Sequence, residues 1–204
     1  MNLMLKGKVA VVTGGSRGIG LAIKNLLEFE GVKVHSWSRS EGIDLDNGWL
    51  DLEHYNQLME SDILINNVGG GGTFDSKYSG KVMWMNYGIT KELTELFLKN
   101  SKSNRRVITI ASIFGKEKGH NPFFVAAKAA QIGYMKSKAG TVEGTTFNSI
   151  CPGHVDVGKP FPDKPKVIGN VLDVANIVVF LCSNRANHIN GACITVDGGE
   201  SHGY

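Results

Sequence analysis

Apolar runs with the length of buried strands alternate along the chain with segments that place apolar residues three or four positions apart. The first run, residues 9–12, precedes a glycine-rich turn and a predicted helix over residues 21–30, which Gly31 ends. Further strands are predicted over residues 32–37, 62–69, 106–112, 146–153 and 192–199. Further helices are predicted over residues 52–60, 90–99, 123–136 and 171–183, and a tight turn from residue 41 leads into a very short strand at residues 44–46. Asp51 and Pro122 are suited to helix starts.

The turn after the first strand combines several glycines with the start of a helix. Its sequence is Thr13-Gly-Gly-Ser-Arg-Gly-Ile-Gly20. Glycine lets the backbone approach a ligand closely, and a helix N-terminus offers unpaired N–H groups and a favourable dipole. The turn therefore suits a diphosphate, and the alternative is a glycine-rich turn without a ligand.

Composition and charge narrow the class of protein. The chain has 204 residues, 42% hydrophobic and 20% charged, which is ordinary for a folded α/β protein with one core. A net charge of +3 is too small to indicate nucleic acid, and no apolar run is long enough for a bilayer. Cys151, Cys182 and Cys193 lie in apolar segments and indicate buried, reduced thiols of a cytoplasmic protein. We expect no metal site, nucleic acid or membrane.

Several motifs together resemble the short-chain dehydrogenase/reductase family, from Lys6 to about Gly199. They are Thr13-Gly14-x-x-x-Gly18-x-Gly20, Asn66-Asn67-Val68-Gly69, Asn86, Ser112, Lys128, Pro152-Gly153 and Val196-Asp-Gly-Gly199. The resemblance implies a single α/β domain over residues 1–204, a Rossmann-like doubly wound, mostly parallel sheet. It also implies an NADP(H)-dependent oxidoreductase that interconverts a carbonyl and an alcohol on a small molecule. Relatives form homodimers or homotetramers through the helices that hold Asn86 and Lys128.

The resemblance assigns the cofactor contacts residue by residue. They are Gly14, Ser16, Arg17, Gly18, Ile19, Gly20, Ser38, Arg39, Asp44, Leu45, Asn67, Gly69, Lys128, Pro152, Gly153 and Val155. Where NAD-binding proteins have an acidic residue, the end of the second strand reads Ser38-Arg39-Ser40 with no carboxylate, which favours a 2′-phosphate and hence NADP(H). The alternative is that Arg39 and Arg17 are solvated surface residues. For Asp44 the alternative is a turn carboxylate.

The catalytic motif departs from the family at one position. The family pairs tyrosine with lysine in Tyr-x-x-x-Lys, and this chain has Lys128 but Phe124 in the tyrosine position. Phenylalanine has no proton to donate. The resemblance implies that Ser112 holds the reacting oxygen and that Asn86 interrupts its helix and supports a proton relay. The alternatives are a strand-end turn for Ser112 and an ordinary helix position for Asn86.

The presence of Phe124 leaves two explanations open. One is a deliberate Tyr→Phe change that traps a bound substrate or cofactor, which the retained Lys128, Ser112 and Asn86 favour. The other is a natural variant that binds NADP(H) but catalyses poorly or by another route. Nothing in the sequence brings Tyr87 or Tyr134 to the missing phenol, and a loop histidine, His120, is more simply solvated.

Two rival functions follow from the same motifs. One is a non-catalytic NADP(H)-binding protein, and the other is a lyase or isomerase on the same scaffold. The segment 156–170 that follows Val155 is short and rich in proline, and Lys159, Lys164 and Lys166 make it basic. These lysines are a weak indication of an anionic substrate, with a solvated loop as the alternative.

Overall fold

A computed structural model describes residues 2–47, 50–70, 76–158, 161, 165 and 167–201. The main sheet contains β1 (Val9–Thr13), β2 (Lys33–Trp37), β3 (Ile63–Asn66), β4 (Arg105–Ile110), β5 (Thr145–Pro152) and β8 (Cys193–Val196). A two-stranded sheet pairs β6 (Val155–Asp156) with β7 (Gly169–Asn170). The helices are α1 (Gly18–Phe29), α2 (Leu52–Glu60), α3 (Ser79–Met83), α4 (Ile89–Phe97), α5 (Pro122–Lys138) and α6 (Val171–Cys182).

The main sheet is parallel throughout, in the order β2-β1-β3-β4-β5-β8. The chain first builds outward from β1 to β2, then crosses back past β1 to β3 and continues in the other direction. This reversal places the carboxyl ends of β1 and β3 side by side, where doubly wound sheets bind their ligands. The predicted Rossmann-like fold is confirmed.

Two apolar layers enclose the sheet. Ala10 and Val12 face one layer, which includes α1 and α6, whereas Val11 faces the other, which includes α2, α4 and α5. All three side chains are fully buried. Because successive side chains of a strand point to opposite faces, a continuous apolar run is what a strand covered on both faces requires.

Local sequence fixes several helix ends as predicted. Asp51 accepts a hydrogen bond from the His54 N–H at 2.9 Å at the start of α2, and Pro122 opens α5. Gly31 follows α1 with φ +81°, a conformation that glycine adopts at little cost.

Two predictions about local structure are wrong. The very short strand expected at residues 44–46 does not form, because the Asp44 carboxylate accepts a hydrogen bond from the Asp46 N–H at 3.1 Å and turns the chain. Two 3₁₀ turns, Arg39–Glu41 and Leu45–Asn47, occupy this region. Cys193 is only partly buried, because β8 is an edge strand.

Parts of the predicted basic segment lie outside the described residues, including Lys159, Lys164 and Lys166. The pairing of Val155 with Gly169 joins the two ends of that segment. Across the described ranges, no helix combines the length and the apolar character needed to cross a membrane.

A capping box begins α6 and gives a test of this helix. The Asn170 side chain accepts from the Leu172 N–H at 2.9 Å, and the Asp173 carboxylate accepts from the Asn170 N–H at 2.8 Å. We expect Asn170→Ala to lower the free energy of unfolding by about 1 kcal/mol, measured by urea denaturation.

The matched control is Asn176→Ala, which makes the same substitution at an exposed position inside α6. Alanine has the higher helix propensity, so this variant should be unchanged or stabilised by about 0.5 kcal/mol. Equal effects of the two substitutions would contradict a specific role of the cap.

Candidate active site

A cleft of about 660 Å³ lies at the carboxyl ends of β1, β2 and β3. The predicted cofactor residues that line it are Gly14, Ser16, Arg17, Gly18, Ile19, Gly20, Ser38, Arg39, Asp44, Leu45, Asn67 and Gly69. The sequence analysis did not assign Trp37, Ile43, Val68 and Ile89, which also line it. Their apolar surfaces give the cleft walls suited to a flat ring, a role that residue type alone does not reveal.

The glycine turn shapes the floor of this cleft. Gly14 has φ +68°, and a Cβ atom at Gly20 would overlap the carbonyl oxygen of Gly14. The N-cap residue of α1, Arg17, makes no side-chain hydrogen bond to the first turn of the helix. The turn therefore combines close backbone approach with a helix N-terminus that its own cap does not cover, as a diphosphate site requires.

Thr13 joins the two strands that form this floor. Its hydroxyl oxygen accepts from the N–H groups of Asn67 and Val68 at 2.9 and 3.0 Å, and it donates to the Ile65 carbonyl at 3.2 Å. The Asn67 side chain in turn donates to the Thr13 carbonyl at 2.9 Å. The sequence analysis quoted Thr13 without giving it a role, and its position directly before the glycine turn is the signal that was available.

The prediction that no carboxylate lies at the end of β2 is wrong. The Glu41 carboxylate accepts from the Ser38 hydroxyl at 2.5 Å and from the Ser36 hydroxyl at 3.0 Å. The 3₁₀ turn after β2 folds Glu41 back onto residues that precede it, which the linear spacing did not suggest. Arg39 lines the cleft beside this acidic group.

Lys128 is the most deeply buried charged group near the cleft. Its Nζ donates to the Ile110 carbonyl at 2.9 Å and lies 5.5 Å from the centre of the Phe124 ring. Burial lowers the pKa of Lys128 to about 7. Lys128 is not among the residues that line the cleft, but its Nζ would lie 3.4 Å from a Cβ atom at Gly69, which does line it.

Asn86 lies in a π-helical turn, Trp84–Gly88, between α3 and α4, which confirms the predicted helix interruption. Its side chain donates to the Gly70 carbonyl at 2.9 Å and accepts from the Gly70 N–H at 3.1 Å. Gln131, which sequence reasoning missed, donates to the Asn86 carbonyl at 2.5 Å. The site thus gathers Gly69, Asn86 and Lys128, although the relay implied for Asn86 stays a prediction.

Ser112 follows β4, two residues after the carbonyl that Lys128 contacts. Its Oγ accepts from the Phe114 N–H at 3.2 Å, so it caps a local turn and is partly exposed. The Phe124 side chain is also partly exposed. Ser112 therefore forms the strand-end turn that was the alternative to a catalytic role. Because its oxygen only accepts in this turn, the hydroxyl proton stays available to a ligand.

Tyr134 and Tyr87 make their contacts with other residues than Phe124. The Tyr134 hydroxyl donates to Glu95 at 2.6 Å, and its ring packs on Tyr87, with 5.9 Å between the ring centres. Burial, followed by the bond to Glu95, raises the pKa of Tyr134. His120 is exposed in the loop before α5.

Pro152, Gly153 and Val155 do not line the cleft described above. Pro152 ends β5, Val155 begins β6, and a Cβ atom at Gly153 would overlap the carboxylate of Glu200. The last described residues thus pack over the Pro-Gly turn. The cofactor role expected for these three residues stays a prediction.

Comparison with known proteins assigns the fold and site to a family. A family model described as enoyl-(acyl carrier protein) reductase matches residues 53–201. Acetoacetyl-CoA reductase of Shinella zoogloeoides is 32% identical, over 95% of this chain and 98% of that protein. The chain belongs to the short-chain dehydrogenase/reductase family. The alignment has 242 positions against 204 residues in the chain, so this short-chain dehydrogenase/reductase lacks segments that the relative contains.

Two further relatives agree with this assignment. The 3-oxoacyl-(acyl-carrier-protein) reductase FabG of Haemophilus influenzae is 30% identical, over 96% of this chain and 98% of that protein. The crystal structure of a short chain dehydrogenase from Burkholderia cenocepacia J2315 in complex with NADP superposes with a TM-score of 0.82. It is 24% identical and covers 96% of this chain and 98% of its own, which shows a shared fold.

The hydrogen bonds of Thr13 generate the first test of the site. Thr13→Val keeps the shape of the side chain but leaves two partly buried N–H groups without their acceptor, so we expect a loss of about 1–3 kcal/mol in the free energy of unfolding. The control is Thr109→Val on β4, because the buried Thr109 hydroxyl has no hydrogen-bond partner among the described residues. Thr109→Val should be neutral or stabilising, and urea denaturation of both variants measures the difference.

The buried amine of Lys128 generates a pH-dependent test. Its pKa is about 7 when folded and near 10.5 when unfolded, so the unfolded chain binds more protons between these values and stability rises with pH across them. We expect Lys128→Met to stabilise the protein, by roughly 2–3 kcal/mol more at pH 6 than at pH 9. Lys136→Met, at an exposed position of α5, is the control and should show no such trend. A stabilisation independent of pH would contradict the lowered pKa.

Proposed function

We propose that this short-chain dehydrogenase/reductase binds NADP(H) and reduces the carbonyl group of a small molecule, slowly in the present chain. The observation that carries the proposal is the position of the Lys128 ammonium, behind Gly69 of the cleft and 5.5 Å from the centre of the Phe124 ring. The names of the relatives support a 3-oxoacyl thioester as the substrate class.

Each site residue has a task in this proposal. When bound, the dinucleotide supplies the hydride. Lys128 holds the ribose next to the nicotinamide, Ser112 donates a hydrogen bond to the carbonyl oxygen, and Asn86 keeps the Gly70 backbone in place. Phe124 stands where the family has its proton donor and cannot donate one. The proposed defect is thus slow proton transfer rather than weak cofactor binding.

NADP(H) is favoured over NAD(H) by Arg39 and Arg17, and relatives of the same fold bind NADP. Glu41 opposes this preference, because a carboxylate beside Ser38 repels a 2′-phosphate. A homodimer or homotetramer built through α4 and α5 stays a prediction.

The cofactor proposal is tested by titrating both reduced dinucleotides at fixed salt and following nicotinamide fluorescence. A guanidinium that binds a phosphate contributes about 1.5–3 kcal/mol, so Arg39→Ala should weaken NADPH binding by about 10–100-fold and NADH binding by less than about 3-fold. Arg185→Ala, which removes an exposed arginine that is not among the residues lining the cleft, should change neither affinity. Tighter binding of NADH by the unaltered chain would refute the proposed preference.

The catalytic proposal is tested by restoring the phenol. A positioned general acid contributes about 10²–10⁴-fold in rate, so Phe124→Tyr should raise kcat for acetoacetyl-CoA with NADPH by that factor and leave NADPH affinity unchanged. The control is Phe123→Tyr, which adds the same hydroxyl one position away on α5 and therefore on another face. The assay follows oxidation of NADPH.

Two outcomes would favour the rival functions. If Phe124→Tyr binds NADPH but reduces no 3-oxoacyl thioester, ketone or aldehyde, the chain is a binding protein. If it converts a substrate without net consumption of NADPH, a lyase or isomerase replaces the proposal.

A further inference from the structure

His154 forms a hydrogen-bonded pair with a carboxylate at the turn after β5. It follows the Pro152-Gly153 turn, and its Nδ1 is hydrogen-bonded to the Glu200 carboxylate. The other oxygen of that carboxylate accepts from the His154 backbone N–H at 2.8 Å. The two side chains are 25% and 16% exposed, so the pair is mostly, but not fully, enclosed.

Hydrogen bonds within the turn of residues 197–201 hold Glu200 in position. Asp197 accepts from the N–H groups of Gly199 and Ser201 at 3.0 and 2.7 Å, and the Glu200 N–H donates to the Asp197 carbonyl at 3.1 Å. A hydrogen bond from the Ser201 side chain is the main cause that lowers the pKa of Asp197, which keeps it ionised. The backbone of this turn therefore fixes the position of the carboxylate that contacts His154.

Aromatic rings link this imidazole to the turn that Ser112 caps. The ring of His154 packs edge-on against Phe114 and Phe161, with ring centres 5.8 and 5.2 Å apart. The N–H of the same Phe114 donates to Ser112 Oγ. Ser112 and His154 follow neighbouring strands, β4 and β5, whose ends are joined by a bond of 2.7 Å from the Ala111 N–H to the Ile150 carbonyl.

A histidine whose Nδ1 is held by a carboxylate is oriented for acid–base chemistry at Nε2. Among the residues that the structure describes, Nε2 of His154 has no hydrogen-bond partner, and the ring is partly open to the outside. An imidazole oriented in this way has the geometry of a proton donor.

We propose that His154, held by Glu200, donates the proton in carbonyl reduction in place of the phenol that Phe124 lacks. This inference rests on the proposed function. The carbonyl carbon accepts a hydride from NADPH, and the electron pair of the C=O π bond takes the proton from Nε2. The products are an alcohol, NADP⁺ and a neutral imidazole, which solvent reprotonates.

The kinetic test crosses His154→Gln with Phe124→Tyr and uses acetoacetyl-CoA and NADPH. In the present chain, His154→Gln should lower the residual kcat by at least about 10-fold, with unchanged NADPH affinity. In the Phe124→Tyr background it should lower kcat by less than about 3-fold, because the phenol then donates the proton. High activity of the double variant would also show that glutamine at this position permits folding.

The outcomes of combining the two substitutions distinguish the proposed function from the role of His154. If Phe124→Tyr is inactive, the proposed function fails, whatever His154 does. If Phe124→Tyr is active and His154→Gln leaves the residual rate unchanged, His154 is not the donor. An equal loss in both backgrounds assigns His154 a structural role and overturns the inference.

A second measurement does not depend on turnover. In the dead-end complex with NADP⁺ and acetoacetyl-CoA, no hydride is available, and the ring Cε1–H resonance of His154 should shift when the thioester is added. The spectrum of His154→Gln assigns that resonance, and exposed His188 is the internal control. An unchanged His154 resonance at saturating thioester would overturn the inference.

Discussion

The burial of the Lys128 ammonium is the constraint on which the site depends. Removing an ammonium from water is costly, and the structure offsets that cost with one carbonyl, that of Ile110, and with the face of the Phe124 ring. Three residues further along α5, Gln131 holds the Asn86 carbonyl. One face of a single helix therefore fixes the end of β4 and the interrupted helix together. The amine has hydrogen-bonding capacity left over, which a ribose would use.

The two ends of the cleft are built in different ways. The end at β1 and β2 is local, because the glycine turn and the 3₁₀ turn after β2 each close within a few residues. The end at Lys128 is assembled from β4, α5 and the π-helical turn, which lie far apart in the chain. A substitution such as phenylalanine at position 124 can therefore alter the Lys128 end without altering the glycine turn.

The sequence predicted the fold and the dinucleotide end well, for physical reasons. Buried parallel strands need continuous apolar runs, and the glycine positions follow from close backbone contacts that any Cβ atom would block. It predicted side-chain partnerships poorly. Glu41 returns to Ser38 because a 3₁₀ turn reverses the chain, and Glu200 reaches His154 from 46 residues away. Neither contact has a periodic signature, and the role of Thr13 depends on hydrogen bonds that only the sheet order reveals.

The π-helical turn at Trp84–Gly88 also determines which face of α4 points to the sheet. A π turn contains one residue more than an α-helical turn, and each residue of an α-helix advances the face by about 100°. Without the extra residue, α3 and α4 would form one regular helix, and the buried face of α4, with Leu93 and Phe97, would rotate away from the sheet. The turn that presents Asn86 to Gly70 therefore also directs the apolar face of α4 towards the core. After a one-residue deletion in this turn, Asn86 and the apolar face of α4 could not both keep their contacts.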